Sequence, residues 1–321
     1  MKIYKVALGL FGTTCLLVAG ASIAQSQEKA APTALQVHMV ITDQSFKDSS
    51  EVPVLRPENV HIKQAKSDLR VDQVIPARGD SAALQLLVLI DDTLDTRVGG
   101  NLNDIRDFIN AQPPSTVVGI AYMSNATIQM AQNFTADHTL AAKALRLPRG
   151  GLSTMDSPYL SLISLVKSWP QQNVRREVLM VSDGIDRLRG QRSTGVSTMP
   201  TISPDADSAS RNSQRYGVIV HSIYATGAGR IGRNAWEAQL GQSGIAKIAD
   251  ETGGEYFALG TGNAVSFKPY LDRLQNIFDN QYYVVFRAVP GKKAGLQRVR
   301  ISTEIADVDL AAADNVWVDV K

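Results

Sequence analysis

The sequence predicts an α/β fold: a doubly wound, mostly parallel sheet inserted in a small all-β sandwich that the two ends of the chain form together. Three observations lead there. Residues 86–90 and 178–181 are unbroken apolar runs, about the length of strands buried on both faces. Between 84 and 280, apolar runs of this kind alternate with helix-period segments, the pattern of a parallel sheet with helices on both faces. Residues 33–78 and 281–321 instead alternate apolar and polar side chains. Each is short for a β domain of its own, but together they match one sandwich, and chain ends that lie close together allow such an insertion.

The chain has 321 residues, 44% hydrophobic and 20% charged. That balance is ordinary for a globular protein and leaves enough apolar material for a large core. Residues 1–24 read as a secretory signal peptide: a basic start with Lys2 and Lys5, a mostly apolar stretch, and Ser22-Ile23-Ala24 before a cut after Ala24. The alternative is an uncleaved anchor helix, which Gly9, Gly12, Thr13 and Thr14 make a weak one. Residues 25–32 read as a flexible lead-in. The one cysteine, Cys15, lies in the leader, so the exported chain has no disulfide, cysteine zinc site or thiol nucleophile. Without Lys2 and Lys5 the formal charge falls from +2 to 0, which points away from nucleic acid and anionic membranes. The expected localisation is secreted or periplasmic, with no membrane span after cleavage.

In order, 35–41, 60–64 and 69–74 alternate as half-buried strands, with a turn at 54–59. Residues 82–280 then carry the α/β pattern. A strand at 86–90 is followed by a helix at 103–111 that Pro113-Pro114 stops. Strands at 117–123 and 126–130 precede helices at 139–147 and 157–169. The strand at 178–181 is followed by a long connection, 186–212, then by a strand at 218–225. A helix at 244–250, a short strand at 256–259 and a helix at 267–280 complete the pattern. Strands at 282–288, 297–303 and 316–320 end the chain.

The strand at 86–90 runs into Asp91, Asp92, Thr93, Asp95 and Thr96. A buried strand that hands over to hard oxygen ligands can hold a cation or a polar partner at the carboxyl edge of the sheet. It can equally be a polar turn, with Asp95 as the N-cap of the helical segment that follows.

These residues, with Val178-Leu179-Met180-Val181-Ser182-Asp183-Gly184 and the Gly150-Gly151 loop, resemble a von Willebrand factor type A domain with its metal ion-dependent adhesion site. The family has Asp-x-Ser-x-Ser after its first strand, a threonine in a Gly-rich loop, and an Asp-Gly pair after a later strand. Here the first part is Asp91-Asp92-Thr93-Leu94-Asp95, the middle part lies around Ser153 and Thr154, and the last is Asp183-Gly184. The flanks, Leu55-Arg56-Pro57-Glu58-Asn59-Val60 and Tyr282-Tyr283-Val284-Val285-Phe286, resemble a group of secreted bacterial relatives of that family. The resemblance implies Asp91, Thr93, Asp95, Ser153, Thr154 and Asp183 as ligands of Mg²⁺ or Ca²⁺, and a non-enzymatic adhesion-type protein that binds a protein ligand. It departs from the pattern at Asp95, where the family has serine, and at Leu152, which aligns where threonine is expected. The extra carboxylate favours Ca²⁺ and weakens the pull on a partner's carboxylate.

The alternatives come from other classes. A metal-dependent hydrolase of phosphatase type would use Asp91, Asp95 and Asp183, but no general acid or lysine stands in these motifs. A scaffold with a vestigial site is the third reading. Gly227-Ala228-Gly229-Arg230-Ile231-Gly232 matches a dinucleotide fingerprint, yet it follows a late strand and reads as a loop. Gly-x-Ser-x-Gly, Walker A and His-Glu-x-x-His are absent from the sequence. His221 reads as a core residue, and Trp169 and Trp236 read as packing residues. Connection 186–212 reads as a functional or disordered loop. Its arginines, Arg187, Arg189, Arg192 and Arg211, with Arg215 just beyond, read either as a solvated face or as a rim for an acidic partner.

Overall fold

Leu84–Asp91 (β5) forms the middle of a six-stranded sheet because every residue from Leu86 to Ile90 is fully buried and can pack on both faces. The structure is a computed structural model that describes residues 34–45, 54–151, 155–170, 172, 174–188, 202–228, 235–258, 260 and 262–320. The leader and its cleavage site lie outside these residues.

The elements before β5 are β1 (Leu35–Asp43), β2 (Val60–Gln64), β3 (Ser67–Leu69) and β4 (Val71–Pro76). After it come α1 (Leu102–Asn110), β6 (Thr116–Ser124), β7 (Thr127–Thr135), α2 (His138–Lys143) and α3 (Pro158–Ser168). Then follow β8 (Arg175–Ser182), α4 (Pro204–Tyr216), β9 (Ile219–Tyr224), α5 (Ala235–Thr252), β10 (Tyr256–Phe257) and α6 (Lys268–Asp279). The chain closes with β11 (Gln281–Ala288), β12 (Gly295–Thr303), β13 (Leu310–Ala312) and β14 (Asn315–Val318).

The central sheet has the order β10-β9-β8-β5-β6-β7. All its pairs are parallel except β6–β7. Asn125 and Ala126 both take positive φ, as the two-residue turn of an antiparallel hairpin requires. Strand β7 is therefore longer than the expected 126–130 and runs as an antiparallel edge. Apolar clusters cover both faces: one joins β5 and β6 to α1, α2 and α6, the other joins β5 and β8 to α3, α4 and α5.

The expectation that the two chain ends fold together holds. β1 and β4 flank β11 in one four-stranded sheet, and β2 pairs β12 in another. Met39, Ile41, Ile62, Val284, Phe286 and Val318 share the core between them. The alternating segment 69–74 is not one strand: the chain breaks at Arg70, β3 pairs β2 and β4 pairs β11, so it changes sheet there. Two arginines tie the crossings into the central sheet. Arg175 donates to the carbonyls of Phe278 and Ala82 and to Gln281, and Arg78 donates to the carbonyl of Asp279.

The connection 186–212 is shorter than expected, because Pro204–Tyr216 is helix α4. Ser203 caps it by accepting from the Asp205 N–H, and Pro204 occupies its first turn, where its missing N–H costs nothing.

Candidate functional site

The parallel register β5–β8 brings the carboxyl ends of the two strands side by side, with Ile90 opposite Val181. Asp91 and Asp183 therefore lie at one edge. Ser182 Oγ donates to Asp91 Oδ2 at 2.8 Å, and the Thr93 N–H and hydroxyl donate to Asp91 Oδ1 at 2.9 and 2.6 Å. Asp91, Thr93 and Asp183 are all buried.

Asp183 is held from within the chain. The guanidinium of Arg187 donates through Nη2 to its Oδ2 and through Nη1 to its Oδ1, and the Ile185 N–H donates to Oδ1 at 2.9 Å. The side chains of the pair are 0% and 2% exposed. Burial pushes the Asp183 carboxyl up to about 6, the charge of Asp91 adds to the rise, and Arg187 and the Ile185 N–H pull the other way. Burial also disfavours the Arg187 charge, but Asp183, Asp91 and Asp156 outweigh it and hold its pKa above the usual value. The guanidinium is thus the fixed charge of the pair, and Asp183 is the member that takes up a proton as pH falls.

Backbone seals the pair. Gly227 lies so close that a Cβ there would run into both the Asp183 carboxylate and the Arg187 guanidinium. Leu94 bridges Gly227, and the Asp95 and Ala228 N–H groups donate to the carbonyls of Thr226 and Thr93, so the loop after β9 is laid across the loop after β5. Gly184 takes φ +69° and meets the backbone of Gly241 in α5.

The sequence reads Arg187 either as part of a solvated face or as part of a rim for an acidic partner. Its position corrects that reading: the turn after β8 folds it back beneath Gly227, and the Asp156 carbonyl accepts from its N–H at 2.9 Å. Arg189 and Arg192 lie outside the described residues, as do Ser153 and Thr154. Asp95 caps the 3₁₀ segment Thr96–Asn101 by accepting from the Arg97 N–H, and it pairs with the Arg97 side chain at 2.9 Å. The turn-and-cap reading describes these bonds.

Sequence reasoning missed Asp92. Its carboxylate accepts two bonds from Arg146, at 2.6 and 3.0 Å, and one from the Arg149 N–H at 2.9 Å. Its carbonyl accepts from the Gly150 N–H, and Arg146 lies 3.7 Å over the ring of Tyr122. The Gly-rich loop is thereby fixed to the ends of β5 and β6. The presence of Asp92 and the two arginines in the motif-bearing loops was the available signal.

Mg²⁺ or Ca²⁺ at this edge would need oxygens free to converge on it. Arg187 instead holds both oxygens of Asp183, and an ion placed beside that carboxylate would meet a buried guanidinium. As arranged, the Asp183–Arg187 pair offers a divalent ion no free carboxylate. Among the described residues, no three His, Cys, Asp or Glu side chains form a metal-holding group.

His221 is fully buried, as expected. Its Nδ1 accepts from the Glu255 N–H at 3.1 Å, so the ring proton sits on Nε2, which bonds Glu177 at 2.7 Å. Trp169 is buried, but Trp236 is 49% exposed and is not a core residue.

No family model and no curated protein matches the chain. Among solved structures it is similar to BatB from Bacteroides thetaiotaomicron, at 15% identity and TM-score 0.42, over 61% of this chain and 97% of that one. It is also similar to a von Willebrand factor type A protein from Catenulispora acidiphila, at 10% identity and TM-score 0.44, over 92% and 76%. A third is an aerotolerance-related membrane protein from Bacteroides fragilis, at 12% identity and TM-score 0.41, over 61% and 99%. Likenesses this distant carry no function across to this chain.

Proposed function

We propose that the chain is an exported, non-enzymatic protein-interaction module of von Willebrand A type, whose carboxyl-edge aspartates are held by Arg187 rather than by Mg²⁺ or Ca²⁺. The observation that carries this reading is the sealed Arg187–Asp183 pair. An edge built for chemistry leaves its charged groups open to substrate; here Asp91, Asp183 and Arg187 lie beneath the chain itself. The groups left at the surface belong to the surrounding loops, among them Arg97 and Arg149, 69% and 65% exposed. Fixed loops with exposed arginines suit recognition of a protein surface better than turnover of a small molecule. No helix among the described residues is long and apolar enough to cross a membrane.

The metal-dependent hydrolase is the competing reading. It requires a state in which Arg187 has left Asp183 so that an ion can take its place. Affinity capture from the native envelope with the full chain tests the two. The same partner should be retained in excess EDTA and lost on Arg149→Glu. Capture abolished by EDTA and restored by Mg²⁺ would refute the metal-free reading, and phosphate-ester hydrolysis that depends on added metal would favour the hydrolase.

A further inference from the structure

A second charged site lies at the opposite end of the central sheet. A cleft of about 600 Å³ opens at the amino ends of β8 and β9, between them, the end of α4, and strands β1 and β14. It is large enough for a few side chains of a ligand. Two arginines line it, Arg176 and Arg215, and among the described residues its wall contains no aspartate or glutamate.

Arg176 is only 8% exposed. Among the described residues it has no carboxylate within ion-pair distance and its Nη1 has no hydrogen-bond partner. Chains seldom bury a guanidinium without an anion, because desolvation is then uncompensated. Burial accordingly lowers its pKa below the usual arginine value. A structural role accounts for part of this side chain: Nη2 donates to the carbonyl of Tyr216 and so satisfies the carboxyl end of α4. It leaves Nη1 unexplained. An arginine fork with one arm bonded and the other unpaired is suited to a carboxylate.

Arg215 is exposed at the mouth of the cleft and lies 4.2 Å over the ring of Trp317. The ring holds the cation in place without neutralising it. Trp317, Val316 and Asn315 of the cleft wall belong to β14, the outer strand of its sheet. An outer strand offers main-chain groups to an added extended segment, and Arg with Trp and Tyr are the side chains that anchor protein partners.

We propose that this cleft binds an acidic peptide segment of a protein partner, with Arg176 and Arg215 receiving its carboxylates. The site stands apart from the aspartate edge and does not depend on how that edge works. The expectation of an acidic partner thereby moves from the connection after β8 to the arginines beneath α4.

Fluorescence polarisation of labelled hexaglutamate against the full chain tests it at low salt. Saturable binding is expected, weakened at least tenfold by Arg215→Glu, unchanged by Arg70→Glu, and absent for labelled hexalysine. Arg176→Gln should weaken binding as well; if that variant does not fold, Arg215→Glu, on an exposed side chain, carries the test. Three results would overturn the proposal: no saturable binding by the wild-type chain, equal weakening by Arg70→Glu and Arg215→Glu, or displacement of the peptide by an equal concentration of inorganic phosphate.

Discussion

Removing the Arg187 guanidinium leaves the Asp183 carboxylate buried and unpaired. Arg187→Ala should therefore cost about 3–5 kcal/mol in urea unfolding. Asp183→Leu combined with Arg187→Met removes both charges of the pair and should cost less than the single change. A loss below about 1 kcal/mol for Arg187→Ala would mean that the pair is solvated like a surface ion pair. Asp92 gives a separate prediction in pH. Burial opposes its ionisation, but the bonds from Arg146 and the Arg149 N–H, with the two guanidinium charges, bring its pKa below the usual value. A folded pKa below the unfolded value of about 3.9 gives stability that is present above that pH and lost as pH falls through the folded value. Asp92→Asn should lower the urea midpoint at neutral pH and flatten its decline on the acid side. An acid limb unchanged by Asp92→Asn would show that other carboxylates produce it.

Helix α4 shows at the level of elements what a sequence hides. Its residues Pro204–Tyr216 bury only small or polar side chains such as Ala206, Ala209, Ser210 and Ser213, so no apolar stripe marks it, and Pro204 reads as a breaker although it sits where a helix tolerates proline. Ser203→Ala should cost about 1 kcal/mol by removing the cap, seen as a lower thermal midpoint with the other elements intact. Strands β5 and β8 were legible because burial on both faces leaves no polar position in their cores. The change of sheet at Arg70 was not, since alternation reads the same on either side of it. At the site, the meeting of Asp91 and Asp183 followed from strand order. The role of Arg187 did not: its spacing of four from Asp183 is that of a helix, but a turn brings the two together. Gly227 was read only as part of a loop motif, yet its lack of a side chain is what lets the chain close over the pair. Gly227→Ala should displace that loop and destabilise the fold, and hydrogen exchange should show the loss first around residues 225–228.

For the molecule as a whole, the two chain ends make one β sandwich, and Arg78 and Arg175 tie it to the central sheet. Deleting 281–321 would strip β1, β2 and β4 of their partners β11 and β12, and the shortened chain should aggregate through its open edges in size-exclusion chromatography. The fold thus presents two charged regions at opposite ends of one sheet, an aspartate edge closed by its own arginine and a cleft whose arginines have no carboxylate partner among the described residues. The closed edge is the central claim, and a thermal-shift titration of the full chain with Mg²⁺ and Ca²⁺, each followed by EDTA, tests it most directly. Because an ion that binds only the folded state must raise the melting temperature, the wild-type protein should melt at one temperature throughout. A rise on adding either ion that EDTA reverses would contradict it.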